Sequence, residues 1–191
     1  MWDKVWTTIG AVSLAIGSRH TCIATAGGAG AIPMSSTGAV LTAFLHAEGE
    51  TFAKETGLDP AQLVQARLAP DMFTLAGQVQ RASDTAKAAA ARLAGSEAPS
   101  FTDDEQDFAQ LQDRIRRTRD YIASVDLAQM EGCESRIISF KAGPYPLTFT
   151  GTSYAQDFVL PNLHFHATTA YGILRHNGVP VGKLDYLGPI N

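Results

Sequence analysis

The chain has 191 residues, 45% of them hydrophobic and 18% charged, which suffices for one ordinary core and is too little for two. Its net charge of −4, with no Lys/Arg run standing apart from balancing acids, excludes the concentrated basic face that nucleic-acid binding requires. Cys22 and Cys133 lie far apart with neither metal-ligand nor redox spacing, so two buried or free thiols are expected.

Residues 1–33 read as an N-terminal extension, and residues 34–191 as one helical domain. In the extension, Lys4 precedes an apolar stretch from Val5 to Ile16, and Ala24-Thr25-Ala26 has the small-residue character of a cleavage site. Asp3 and Arg19-His20 run against a secretory signal, and the broken apolar run falls short of the ~18 residues that mark a membrane span. No membrane span is expected. The cytoplasm is the expected location, with export or an organelle as the alternative if residues 1–26 act as a targeting peptide. The Ala26-to-Ala31 glycine-rich run is too permissive at the backbone to hold a helix and reads as a flexible linker.

Beyond Pro33 the apolar residues Val40, Leu41, Phe44, Leu45 and Phe52 recur at helical spacing, and Gly57 is placed to close that helix in a left-handed cap. Asp59-Pro60 supplies an N-cap and a first helical residue for a short turn. Pro70 is expected to start a longer second helix in the same way, with Met72, Ala76, Val79, Ala86, Ala90 and Leu93 on one face and Gly95 ending it. Thr102-Asp103-Asp104-Glu105 has the form of a capping box for a third helix, along which Phe108, Leu111, Ile115, Ile122 and Val125 define a seam. Its arginines Arg114, Arg116, Arg117 and Arg119 alternate with acids and read as a solvated face that complements the helix dipole.

Between Cys133 and Gly151 the period changes to two. Arg136 to Phe140 and Leu147 to Thr150 flank Gly143-Pro144-Tyr145-Pro146, predicting a β-hairpin. Thr150 or Thr152 caps the last helix, Pro161 removes one of its hydrogen bonds and kinks it, and Asn177-Gly178 ends it. Val179-Pro180-Val181 is apolar enough to pack on the bundle. Four periodic helices with a hairpin before the fourth give a mainly all-α fold, a four-helix bundle, whose interior is where such folds build metal and ligand sites.

Several segments then resemble a known family. Ala66 to Phe73, Gln78-Val79-Gln80, Asp84 to Lys87, Leu160 to Tyr171 and Leu174 to Val179 are similar to the domain of unknown function DUF1993, grouped with the DinB/YfiT-like superfamily of metalloenzymes. The resemblance spans roughly Pro33 to Gly188 and implies a DinB-like four-helix bundle that forms a homodimer. It implies no established activity. DinB-like metal sites resemble a three-histidine arrangement, one from the second helix and an H-x-x-x-H pair from the fourth. Here Ala170 stands four residues after His166, Thr168 four after His164, and the second helix has no histidine, so that triad does not carry over.

Histidine is the commonest metal ligand and the usual acid or base near neutral pH, and three of the five in the chain, His164, His166 and His176, lie on the last helix. His166 is the expected anchor of any site, including any metal. Asp71 and Gln78, seven apart on one expected helical face, are the facing groups, and a mixed set of His166, Asp71 and Gln78 suits Zn, Mn or Ni chemically without being demanded by the spacing. Tyr171 and His176 complete the candidate binding residues. The alternative for His166 is a core histidine satisfied by a carbonyl or by Asp71, for His176 a dipole role, and for Gln78, Thr169 and Tyr171 a polar network fixing helix register. His164 is expected on another face, reaching solvent, and His46 in the first helix has no assignable partner. Two functions are weighed: a non-catalytic dimeric binding or stress-associated protein with a degenerate metal site, or a metal-dependent or thiol-handling transferase with a small-molecule pocket around His166. Helix-turn-helix DNA binding is opposed by the acidic charge and the missing basic recognition helix.

Overall fold

The computed structural model describes residues 49–187. The 1–33 extension, His46 and the periodic segment from Val40 to Leu45 lie outside the described residues. The fold is mainly helical, with a small antiparallel hairpin ahead of its last long helix, as the sequence implies. Its elements are α1 (Glu50–Thr56), α2 (Pro60–Gln65), α3 (Leu75–Ala94), α4 (Phe108–Ser124), β1 (Ile137–Ala142), β2 (Tyr145–Thr150), α5 (Leu160–His176) and α6 (Lys183–Leu187). Among the described residues no helix is long and apolar enough to cross a membrane.

The central element is α3, which packs against both α4 and α5. Ala82, Ala86, Ala89 and Ala90 are buried along it, and side chains that small let its neighbours approach closely. Gly95 ends the helix in the left-handed conformation, φ 74, with its N–H on the Ala91 and Arg92 carbonyls. The start differs from the expectation. Pro70 shapes a tight turn, closed by Met72 N–H on the Ala69 carbonyl at 3.0 Å, and the helix begins only at Leu75. Thr74 is the cap, its hydroxyl accepting from Gly77 N–H at 3.2 Å. A proline first in a turn and a proline first in a helix have the same φ, so only the capping hydroxyl downstream decides where the helix starts.

The third helix departs in the same way. It begins at Phe108 with Asp107 as its cap, the carboxylate accepting from Gln110 N–H at 2.8 Å, so Thr102 to Glu105 form no capping box. Glu105 is instead buried in ion pairing with Arg114. Phe108, Leu111 and Ile115 form the buried seam, and Ile122 and Val125 pack at its edge.

Gly57 (φ 71) closes α1, and Asp59 caps α2 by accepting from Ala61 N–H at 2.9 Å. In the hairpin Ile138 pairs with Phe149 and Phe140 with Leu147, around a two-residue loop whose first member, Gly143, has φ 59. Tyr145 and Pro146 belong to β2 rather than to the turn. Phe140, Phe149, Tyr154 and Phe158 cluster with ring centroids 5.0–6.1 Å apart, and Arg92 of α3 lies 4.0 Å over Phe140 while donating to the Tyr154 hydroxyl at 2.8 Å. The cluster joins the hairpin to the C-terminal end of α3.

Thr150 and Ser153 form a capping box for the helical turn Gly151–Ser153, which runs through a π-helical segment, Tyr154–Val159, into α5. The Leu160 N–H bonds to Ala155, five residues back, and the Asn162 amide donates to the Phe158 carbonyl at 2.6 Å. The expected disturbance at Pro161 therefore takes the form of a wide turn. Asn177 donates through its side chain to the Ile173 carbonyl at 2.7 Å, Gly178 (φ 88) turns the chain, and Val179 and Val181 return to the core fully buried. The short α6 was not foreseen. Cys133 is buried and disulfide-bonded rather than a free thiol. The other cysteine of the chain, Cys22, lies outside the described residues.

Candidate functional site

His166 sits half-buried on α5, facing α3. Its Nδ1 lies 2.8 Å from Oε1 of Gln78, and the Gln78 Nε2 lies 3.3 Å from the Phe73 carbonyl. These two contacts place the proton. A carbonyl only accepts, so the Gln78 nitrogen must face Phe73 and its oxygen must face the imidazole. Nδ1 then carries the hydrogen and donates, leaving the lone pair on Nε2. Nε2 has no protein partner among the described residues, and it is not sealed from solvent, since the one buried unpartnered side-chain polar atom among them is Nε of Arg114. Burial first, and the charge of nearby Arg81 second, pull the His166 pKa below the ordinary imidazole value, so the ring is neutral at pH 7.

Arg81, one turn beyond Gln78, bonds to Asp84 at 3.0 Å and to Asp103. The Phe165 ring meets His166 edge-on with centroids 5.3 Å apart, and 56% of that residue is exposed. Phe73, 57% exposed, lies along the first turn of α3 because Gly77 leaves room for it: a Cβ there would stand 3.0 Å from the Phe73 Cβ.

The structure brings His166 and Gln78 together and leaves the other candidates elsewhere. Asp71 is exposed in the turn before α3, because the helix starts five residues later than Pro70 suggested, and it shares no helical face with Gln78. It lines an open hollow of about 400 Å³ with Arg67, Met72, Phe73, Thr74 and Gln80. His176 is exposed in the last turn of α5, about 15 Å along the helix from His166 at 1.5 Å per residue. Tyr171 packs its ring against Tyr186 at 6.2 Å, and Thr169 donates to the Phe165 carbonyl of its own helix rather than to Gln78. His164 is half-buried rather than solvent-reaching, with Nδ1 3.2 Å from the Tyr186 hydroxyl.

The described residues do not fit a divalent metal centre of the kind the resemblance implies. No group of three His, Cys, Asp or Glu side chains gathers among the described residues. The Gln78 oxygen is already engaged by Nδ1–H, and Arg81 adds positive charge beside the one imidazole that a metal would use.

One arginine of the expected solvated face departs from it. Arg114 is fully buried, with Nη1 2.9 Å from both Glu105 Oε1 and the Thr102 carbonyl, and Nη2 2.9 Å from Asp84 and 3.0 Å from Asp103. Gln80 donates to the other Glu105 oxygen at 2.8 Å. Arg116 and Arg117 do point to solvent. The role of Arg114 had a signal, since it shares the helical face of Leu111, Ile115 and Thr118, all buried. The Phe73 contribution had none, because it acts through a backbone carbonyl.

The family model described as domain of unknown function DUF1993 matches residues 31–187. A solved structure described as a DinB family member protein from Shewanella denitrificans is 39% identical to this chain, covers 82% of it and 86% of its own length, and superposes with a TM-score of 0.70. No curated protein matches.

Proposed function

Since the chain belongs to the DUF1993 family and has a DinB-like fold, we propose that it is a four-helix bundle protein with a degenerate metal site, acting as a non-catalytic, dimeric binding or stress-associated protein. The observation that carries this reading is the His166–Gln78–Phe73 chain of hydrogen bonds. It orients one neutral imidazole from behind, as the outer partners of a metal-bound histidine do, yet among the described residues no group of three His, Cys, Asp or Glu side chains gathers to hold an ion. What is left is an oriented acceptor for a small molecule. Exposed Leu184 and Leu187 on α6, and Ile137 and Tyr145 on the hairpin, support association of two copies.

The second reading, a metal-dependent or thiol-handling transferase with its pocket around His166, draws support from the same neutral Nε2, which is able to take a proton from a thiol. Metal analysis of protein purified without a histidine tag separates the two. The binding reading expects far less than one Zn, Mn or Ni per chain. One metal per chain, lost on His166→Ala in a protein that still folds, would overturn it. Light scattering on the same sample tests the dimer. The proposed location is the cytoplasm, with export or an organelle as the alternative. The disulfide-bonded state of Cys133 supports the alternative, because disulfides persist in oxidising compartments.

A further inference from the structure

Resting on that binding reading, the geometry points to the chemical class of the ligand: a small planar molecule, neutral and donating one hydrogen bond, of the phenol or azole type, with its O–H or N–H on His166 Nε2 and its ring against Phe165. Three observations select it. The direction of the Phe73–Gln78–His166 relay puts the hydrogen on Nδ1, so that in the neutral ring Nε2 is an acceptor and the ligand must bring the hydrogen. Ionic partners of either sign are excluded. Arg81 repels a cation, and an anion that has given up its proton brings no hydrogen for Nε2 to accept. Finally, the side chain touching the imidazole is an exposed aromatic ring, which suits a flat apolar body in offset or edge-on packing.

Gln78 has a defined part in this. Without its oxygen the ring exchanges freely between tautomers, and half of the time or more Nε2 carries the proton and repels a donor. Gln78 is thus a positioning residue that sets polarity.

The test uses the full chain, with naphthol as the probe and its methyl ether as a control of nearly the same shape without the donor. Fluorescence titration at neutral pH is expected to show naphthol binding roughly tenfold more tightly than the ether, the worth of about one hydrogen bond. His166→Phe removes the preference and leaves both probes at the ether's affinity. Because that variant need not fold, a wild-type readout accompanies it: the ¹⁵N resonance of His166 Nε2 moves on adding naphthol and stays in place with the ether. Equal affinities, or a stationary Nε2 resonance, overturn the ligand class. A metal-free protein with no preference between the probes sinks this inference alone, whereas one divalent metal per chain sinks the binding reading and this inference together.

Discussion

Replacing Arg114 by methionine tests whether the buried ion cluster holds the α3–α4 connection in place. Methionine keeps the length and most of the volume of the arginine stem, so the packing loss is small and the electrostatic loss dominates. The substitution removes the guanidinium from Glu105, Asp84, Asp103 and the Thr102 carbonyl, and leaves Glu105, 4% exposed, with Gln80 as its remaining side-chain partner. Stranding a buried charge in this way costs about 3–5 kcal/mol. In a chain of this size each kcal/mol lowers the melting temperature by about 2–4 °C, so scanning calorimetry should show a fall of about 6–20 °C. Exposed Arg116→Ala serves as the control and should leave the melting curve unchanged. Adding Glu105→Gln to Arg114→Met should restore part of the loss, because the stranded charge is then gone. The wild type also carries a pH signature. Burial alone would raise the Glu105 pKa, but hydrogen bonds from Arg114 and Gln80 and the Arg114 charge outweigh it and hold the carboxyl below the ordinary glutamate value. A depressed folded pKa means that the unfolded chain binds more protons, so this stabilisation is complete above the unfolded value and is lost as pH falls through the folded one. A melting temperature that falls by less than about 2 °C in Arg114→Met, or an acid-side stability profile identical in wild type and Glu105→Gln, would refute the reasoning.

Three further outcomes are expected. Gly151→Ala should cost at least about 3 kcal/mol or abolish folding, because the added carbon would stand 1.9 Å from the Cys133 carbonyl oxygen, whereas Gly132→Ala, facing open space at φ 68, should cost only the roughly 1–2 kcal/mol of a left-handed alanine; urea unfolding of both measures the gap. An NMR titration of His166 should give a pKa below that of a free imidazole, and since its folded value is lowered, its contribution to stability should be complete above ~6.5 and decline as pH falls below it; a pKa at or above the free value would contradict the buried, Arg81-facing placement. Tyr186→Phe removes the hydroxyl that lies 3.2 Å from both His164 and Thr168, and should cost about 0.5–1.5 kcal/mol in thermal unfolding, with no loss meaning that α6 is not held there by hydrogen bonds.

The parts of the fold legible in the sequence are those where one local signal stands without a rival. Gly57, Gly95 and Asn177-Gly178 each end a helix where the pattern places them, and the change to period two marks the hairpin. The two misplaced helix starts share a cause. Pro70 and Thr74, or Thr102 and Asp107, offer competing caps within five residues, and contacts far away in sequence decide between them: Glu105 is drawn into the Arg114 and Gln80 cluster and cannot turn back to cap its own helix. The error at Pro70 carried Asp71 onto the face of Gln78, where it does not lie. The inward aspect of His166 and Gln78 was readable from helix phase, but the direction of their hydrogen bond depends on the Phe73 carbonyl, and no side-chain pattern reports a backbone acceptor.

The wide turn at Tyr154–Val159 has a consequence for how this chain tolerates change. A π turn amounts to one residue more than an α-helix would use, and one residue is about 100° of helical phase. On its near side Gly151 sits against the Cys133 carbonyl and Tyr154 in the aromatic cluster under the hairpin; on its far side His166 meets Gln78. Deleting a single residue between them would restore a regular helix and turn one of these two anchors away from its partner. The distance from Gly151 to His166 is therefore held as a number of residues. Side chains along that segment are exchangeable within the limits of packing, whereas an insertion or deletion there acts as a rotation of the whole second half of the helix.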